Sequence, residues 1–302
     1  MKGRKIAIVG SGSIGLFYGS KLASAGCRVF FLMRSGFEAA VRNGIRIHSA
    51  AGPLHMEKPE AAKSPEDIGP CDGVIVAVKA TSNAALPALI APLLGDQTWI
   101  LTLQNGLGNE DFLASHFGAD RILGGLCFVC LTRRNPVEVD HIGHGMLSIG
   151  EFHGPPRDRT SRLVQAFQDG GVETRLAHDL AAERWRKLVW NIPFNGLCTV
   201  HRTGVDGILG DPGLLGVCES LMDEVRAIAA AEGHEIPREY AAHQVERTRP
   251  MGAYRPSTLV DADAGNPLEI DPIWGEPLRR ARLAGIETPQ LAALCIQLNS
   301  LT

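Results

Sequence analysis

The chain has 302 residues, 45% of them hydrophobic and 21% charged, a balance that suits a folded protein of about two domains and excludes a disordered one. Its 30 basic and 33 acidic residues leave a formal charge of -3, which speaks against a nucleic-acid partner, because such proteins carry a basic face. No segment approaches the roughly 18 consecutive apolar residues of a membrane span.

The basic start, residues 1–5, leads into an apolar run that stops at Gly10, too short for the core of a signal peptide. Seven scattered cysteines fit a reducing compartment better than a disulfide scaffold. The expected setting is the cytoplasm.

The first half alternates two textures. Residues 5–9 read as a short apolar strand, 14–25 as a helix that stops near Gly26, and 28–33 as a second strand. Residues 73–78 are apolar throughout, as expected of a parallel strand covered on both faces. Residues 84–94 read as a helix with Pro87 near its first turn. Residues 98–102 and 121–131 continue the strand pattern, and 154–159 read as a loop. Such alternation predicts a doubly wound parallel sheet.

From about residue 178 the signals become helical. Residues 180–191 are amphipathic. Residues 214–231 follow Asp211 and Pro212, a cap and a first-turn proline, and 272–284 and 289–301 read as two closing helices. The predicted fold is α/β, with an N-terminal Rossmann-type dinucleotide-binding domain over 1–178 and an all-helical domain over 179–302. The site is expected in the cleft between them.

Gly10-Ser11-Gly12-Ser13-Ile14-Gly15 follows the first strand and opens the first helix. A GxGxxG alone is a weak signal, but here each glycine has a task. Gly10 permits a tight turn, Gly12 lets the backbone approach a pyrophosphate, and Gly15 lets helix and strand pack closely. The helix start offers free N–H groups and a positive dipole end. An NAD site would carry an acid at the end of the second strand, to bond the ribose 2′-hydroxyl. Arg34 stands there instead, and a guanidinium can hold a 2′-phosphate by a two-pronged contact. The expected cofactor is NADP rather than NAD.

Three further segments carry chemistry. Lys79 follows a buried parallel strand, at the sheet edge where ligands of open α/β sheets lie. Gln104-Asn105-Gly106 follows the next strand. Lys187, Asn191 and Asn195 recur every four residues and so line one stripe of a helix. Taken singly, each of these also reads as an ordinary solvated polar residue.

In this order and spacing the segments closely resemble the ketopantoate reductase family. The resemblance runs over nearly the whole chain. It takes in the glycine loop, Arg34, Lys79, residues 104–106, the Lys187 stripe, the hairpin-like His141-Ile142-Gly143-His144-Gly145, Pro256-Ser257-Thr258-Leu259 and Glu269-Ile270-Asp271. It implies reduction of the ketone of a 2-oxo acid by NADPH, with 2-dehydropantoate as the first substrate to consider. It further implies that Lys187 donates the proton and that Asn191, Asn195 and Ser257 bind the substrate's hydroxyl and carboxylate. Asn105 would touch nicotinamide ribose and substrate, and Glu269 the hydroxyls of cofactor and substrate.

The chain departs from the family pattern in three places. Pro193 interrupts the stripe and should kink the helix, shifting Asn195 relative to Lys187. Gly196 stands where a proline is usual, and Val205 stands where an asparagine is frequent.

Other constellations read as structural. Cys127 and Cys130 are three apart in a strand and so point to opposite faces. His141 and His144 read as parts of a turn, Asp261 and Asp263 lack a companion motif, and no metal is expected. Two alternatives stay open: another nicotinamide-dependent hydroxyacid dehydrogenase of different substrate, and a non-catalytic NADP-binding sensor. The partner is a small 2-oxo acid, and the apolar C-terminal helices permit a homodimer without requiring one.

Overall fold

The structure, a computed structural model, describes all 302 residues. The chain divides into two compact units, Met1–Gln104 with Asn109–Leu180, and Asn105–Gly108 with Ala181–Thr302. A contiguous cut near residue 178 therefore misses one feature: four residues after a strand of the first unit belong to the second. No helix is long and apolar enough to cross a membrane.

In the first unit the chain runs β1 (Lys5–Val9), α1 (Ser13–Ser24), β2 (Arg28–Leu32), α2 (Phe37–Asn43), β3 (Ile45–Ser49), β4 (Leu54–Met56), β5 (Glu60–Ala62), α3 (Pro65–Ile68) and β6 (Cys71–Val76). It continues through α4 (Leu86–Ile90), β7 (Leu94–Thr102), α5 (Asn109–Phe117), β8 (Ile122–Asn135), β9 (Glu138–Glu151), α6 (Asp158–Asp169) and β10 (Thr174–Leu176). The strands form one ten-stranded sheet in the order β4-β3-β9-β8-β7-β6-β1-β2-β5, with β10 beside β9.

From β5 to β8 every neighbouring pair is parallel, the arrangement expected of a doubly wound sheet. Its apolar runs have a simple cause. Ile6 and Ile8 of β1 enter one core while Ala7 and Val9 enter another on the opposite face, so none of these four positions can be polar.

Beyond β8 the sheet departs from the all-parallel expectation. β8 and β9 form a long antiparallel pair, and β3 joins the far side of β9. The segment around His141 and His144 is not a turn. It lies inside β9 as an irregularity in the pairing with β8, with His144 at φ 59° and its carbonyl within 2.8 Å of His141 Nε2. The predicted helix over 84–94 is also broken. A 3₁₀ turn over Ala80–Ala85 precedes α4, which has Pro87 in its first turn, and Pro92 follows in a second turn. Two prolines five residues apart leave no room for a longer α-helix, because each removes a backbone donor. The loop expected over 154–159 ends early, since α6 begins at Asp158.

The second unit is helical: α7 (Leu180–His201), α8 (Val205–Gly210), α9 (Pro212–Ala231), α10 (Arg238–Thr248), α11 (Ser257–Asp263), α12 (Glu276–Ala284) and α13 (Pro289–Asn299), with a π-helical turn over Asp271–Gly275 leading into α12. Asp211 caps α9 as its sequence predicts, its Oδ1 accepting from Gly213 N at 2.8 Å and Leu214 N at 3.1 Å. α7 supplies the axis of the core. Trp185, Leu188, Val189, Ile192, Phe194, Leu197 and Cys198 are all buried together with apolar residues of α9, α12 and α13. Each such side chain stabilises by about 1.5–3 kcal/mol.

Burial also governs the thiols, because desolvation disfavours the thiolate. It pushes Cys71 up to about 11 and Cys198 up to about 12, and raises Cys218 as well. In the native protein at pH 8, Cys198 and Cys218 should stay unlabelled by Ellman's reagent until denaturant is added, with half-buried Cys130 reacting first. Rapid native labelling of Cys198 or Cys218 would contradict this packing.

Candidate active site

In the first unit the order of strands reverses between β1 and β6, the switch point at which ligands of such sheets sit. The glycine loop leaves β1 on one side of it, and the segment bearing Lys79 leaves β6 on the other. Gly10 has φ 107°, and a Cβ there would lie 2.5 Å from Val78 N, so only glycine lets the two segments touch. A Cβ on Gly15 would collide with the carbonyl of Gly10, which fixes how closely α1 approaches the loop.

Gly12 is different, for a Cβ there would meet nothing within 4 Å. Above it lies open space, and α1 begins without a side-chain cap, so the first N–H groups of Ser13, Ile14 and Gly15 face no internal acceptor. These features fit a diphosphate. Ser11 Oγ donates to Leu32 O at 2.9 Å and ties the loop to the end of β2. Two residues on, Arg34 is exposed and makes no hydrogen bond or ion pair. Lys79 is half-buried, just ahead of the 3₁₀ turn.

Sequence reasoning missed a buried amide network beside them. Thr102 Oγ1 donates to Gln104 Oε1 at 2.9 Å, Gln104 Nε2 donates to Asn83 Oδ1 at 2.7 Å, and Asn83 Nδ2 donates to Asn109 Oδ1 at 3.0 Å. Gln104 and Asn109 are buried, so each polar atom must find a partner. The network pins the chain on both sides of residues 105–108. Only the pairing of Gln104 with Asn105 in sequence pointed toward it, because Asn83 and Asn109 lie in segments without a motif.

The second unit carries the remaining candidates, several of them joined by hydrogen bonds. Lys187 Nζ donates to Asn105 Oδ1 at 2.7 Å. The loop carrying Asn105 is held by Leu107 N, which donates to Pro272 O at 2.8 Å. Gly106 has φ 83°, and a side chain on it would collide with that same carbonyl.

Along α7, Asn195 Nδ2 donates to Asn191 Oδ1 at 3.4 Å, and both asparagines are buried. The Asn195 Oδ1 accepts from Thr258 N at 3.2 Å and Ser257 Oγ at 3.4 Å, so this amide serves as the cap that α11 lacks in its own sequence. Lys187, Asn105, Asn191, Asn195 and Ser257 thus share one continuous region. Glu269 is half-buried in the same unit, immediately before the π-helical turn. Taken together, the unit presents a cation, three ordered amides and a hydroxyl, a set able to meet a carboxylate and a developing alkoxide.

Comparison with known proteins identifies the family. A family model described as "Ketopantoate reductase PanE/ApbA" matches residues 6–154, and one described as "Ketopantoate reductase PanE/ApbA C terminal" matches residues 179–301. The chain belongs to the ketopantoate reductase family.

Among its relatives is the 2-dehydropantoate 2-reductase of Nostoc sp., 37% identical over all of this chain and 96% of that one. The crystal structure of 2-dehydropantoate 2-reductase from Geobacter metallireducens matches with a TM-score of 0.96 at 42% identity, covering 99% of this chain and 100% of that one. D-mandelate dehydrogenase, solved with NADH and anilino(oxo)acetate, shares the fold at a TM-score of 0.90 and 22% identity, over 98% of this chain and 97% of that one. Like other ketopantoate reductases, the chain is an oxidoreductase that uses a nicotinamide cofactor and a small-molecule substrate.

Within the ketopantoate reductase family, this chain's departures have local physical accounts. Pro193 does not separate the stripe: α7 is one helix from Leu180 to His201, and the Asn195–Asn191 bond spans the proline. Trp274 Nε1 donates to Ile192 O at 3.0 Å beside it. Gly196 makes room for this contact, because a Cβ there would lie 2.6 Å from Leu294 Cδ2 and 3.0 Å from Trp274 Nε1. Val205 is fully buried in the helical core, so the polar string gains nothing from that position. Gly196→Ala should lower stability by about 1–3 kcal/mol through overpacking, read from the denaturant midpoint. An unchanged midpoint would contradict the close approach of Trp274 and Leu294.

Proposed function

We propose that the chain reduces the ketone of a 2-oxo acid with NADPH, and that 2-dehydropantoate is its substrate. The observation that carries this reading is the Lys187–Asn105 hydrogen bond at 2.7 Å. It holds an ammonium at the end of a string of ordered amides and hydroxyls. The curated relative at 37% identity carries the name of the same reaction.

The first unit is read as the dinucleotide-binding part and the second as the substrate part. Gly10, Ser11, Gly12, Ser13, Ile14 and Gly15 hold the diphosphate against the start of α1. Arg34, exposed and unpaired, takes the 2′-phosphate, and this favours NADPH over the NADH seen with D-mandelate dehydrogenase. Lys79 and Asn105 meet the rest of the cofactor. When bound, the cofactor supplies the hydride that the ketone carbon receives.

The chain's own residues do the remainder. Asn191, Asn195 and Ser257 bind and orient the hydroxyl and carboxylate of the substrate. As the carbonyl becomes an alkoxide, the Lys187 ammonium stabilises the charge on oxygen and then gives up a proton from Nζ. Asn105 accepts a hydrogen bond from that ammonium and so aims it. Glu269 accepts from hydroxyls of cofactor and substrate. Val205 in the core favours a second reading in which the same chemistry acts on another branched 2-oxo acid.

NADPH oxidation measured with 2-dehydropantoate and a panel of branched 2-oxo acids should show the highest kcat/KM for 2-dehydropantoate. A panel member preferred over it would favour the second reading. Lys187→Ala should lower kcat by about two decades or more with little change in NADPH affinity; near-normal turnover sinks the assignment. Arg34→Ala should weaken NADPH by roughly 10- to 100-fold, the scale of lost charge-assisted hydrogen bonds, while sparing NADH. Equal losses for both cofactors would exclude a 2′-phosphate contact.

A further inference from the structure

We infer that Arg280 is a positioning residue for this reaction, acting by joining the helix that carries Lys187 to the loop that carries Asn105. The inference rests on the proposed role of Lys187 and goes beyond it, because Arg280 is none of the candidates considered above. The Arg280 side chain is largely buried, at 24% relative exposure, between two carboxylates. Its Nε donates to Glu276 Oε1 at 2.8 Å, and its Nη1 donates to Glu232 Oε2 at 3.1 Å.

Each carboxylate leads to one half of the Lys187–Asn105 pair. Glu232, at the end of α9, accepts from Trp185 Nε1 at 3.0 Å. Trp185 is fully buried on α7 and stands two residues before Lys187. Glu276 opens α12, and its Cγ and Cδ lie 3.6 Å from where a side chain on Gly108 would begin. Gly108 closes the loop of Asn105, and the same loop is bonded at Leu107 N to Pro272 O, in the turn leading into α12. One guanidinium thus spans the supports of both the ammonium and its acceptor.

The chemistry of the span explains the choice of arginine. A planar fork can donate to two acids at once in fixed directions, whereas an ammonium on a flexible stem is a point charge that holds only one orientation loosely. Arg279 also pairs with Glu276 and with Asp271, the latter at 2.8 Å, so charge at Glu276 survives loss of Arg280. What is lost is the tie to Glu232 and Trp185. A shift of about 1 Å between a proton donor and its guide can cost a large factor in turnover without altering binding.

The test compares wild type, Arg280→Met, Arg280→Lys and Trp185→Phe in the full chain. Readouts are kcat and KM for 2-dehydropantoate, Kd for NADPH by fluorescence, and the thermal midpoint, with rates normalised to NADPH-binding sites. Arg280→Met should lower kcat about tenfold, with KM and Kd within about twofold, and Arg280→Lys should fall between it and wild type. Trp185→Phe, which removes the donor and leaves a smaller aromatic ring, should lower kcat in the same pattern. If Arg280→Met only lowers the thermal midpoint and leaves kcat per site unchanged, Arg280 is a structural brace and the inference is wrong. Should Arg280→Met not fold, unchanged kcat in Trp185→Phe overturns it equally. Lys187→Ala measured alongside separates the two failures: full turnover there rejects the proposed function itself, whatever Arg280 does.

Discussion

The hydrogen bond from Lys187 to Asn105 is the constraint around which the second unit is arranged. It joins residues 82 positions apart, and it needs both partners to be held by something stiffer than themselves. On one side stands α7, buried along most of its length as the axis of the helical core. On the other is a loop of four residues whose backbone is bonded to the Pro272 carbonyl. The loop follows Gln104 and ends at Asn109, the first residue of α5, and the buried amides of both are fastened by Asn83. A polar site made of flexible side chains would lose rotamer freedom on every turnover. Here much of that ordering is already made in the fold.

The same logic explains how a chain can carry three departures around the stripe and retain its geometry. A proline inside a helix removes the bond to the carbonyl four residues back, here that of Val189; the Trp274 indole bonds a different carbonyl, that of Ile192. That indole can reach the backbone only because residue 196 has no side chain. Glycine and tryptophan are one packing solution read at two places in the sequence. Val205 belongs to a different set, the buried apolar residues, and it narrows the polar lining to Asn191, Asn195 and Ser257.

Much of this is legible in the sequence. The apolar runs within β1 and β6 announced a sheet covered on both faces, and the four-residue spacing of Lys187, Asn191 and Asn195 announced a shared helix face. What was not legible has physical reasons. β9 is half-exposed over much of its length, so its pattern is diluted, and the histidine–glycine run that looked like a turn is an irregularity inside the strand. The stretch through α4 has helix-forming residues but two prolines that break it into short turns. The amide network of Asn83 and Asn109, and the tie of Arg280 to Glu232 and Glu276, join residues 21 to 48 positions apart, with one short link inside α12. No local pattern encodes such pairings; only the folded core brings them together.

The central claim is that Asn105 acts on the reaction through the ammonium of Lys187. A double-mutant cycle on kcat, with Lys187→Ala, Asn105→Ala and the double variant, tests it directly. The account predicts strong non-additivity in kcat at saturating NADPH: once Lys187 is gone, removing Asn105 should cost little more there, its contact with the cofactor showing in Kd instead. Full additivity of the two losses would mean that the residues act independently, and would contradict it.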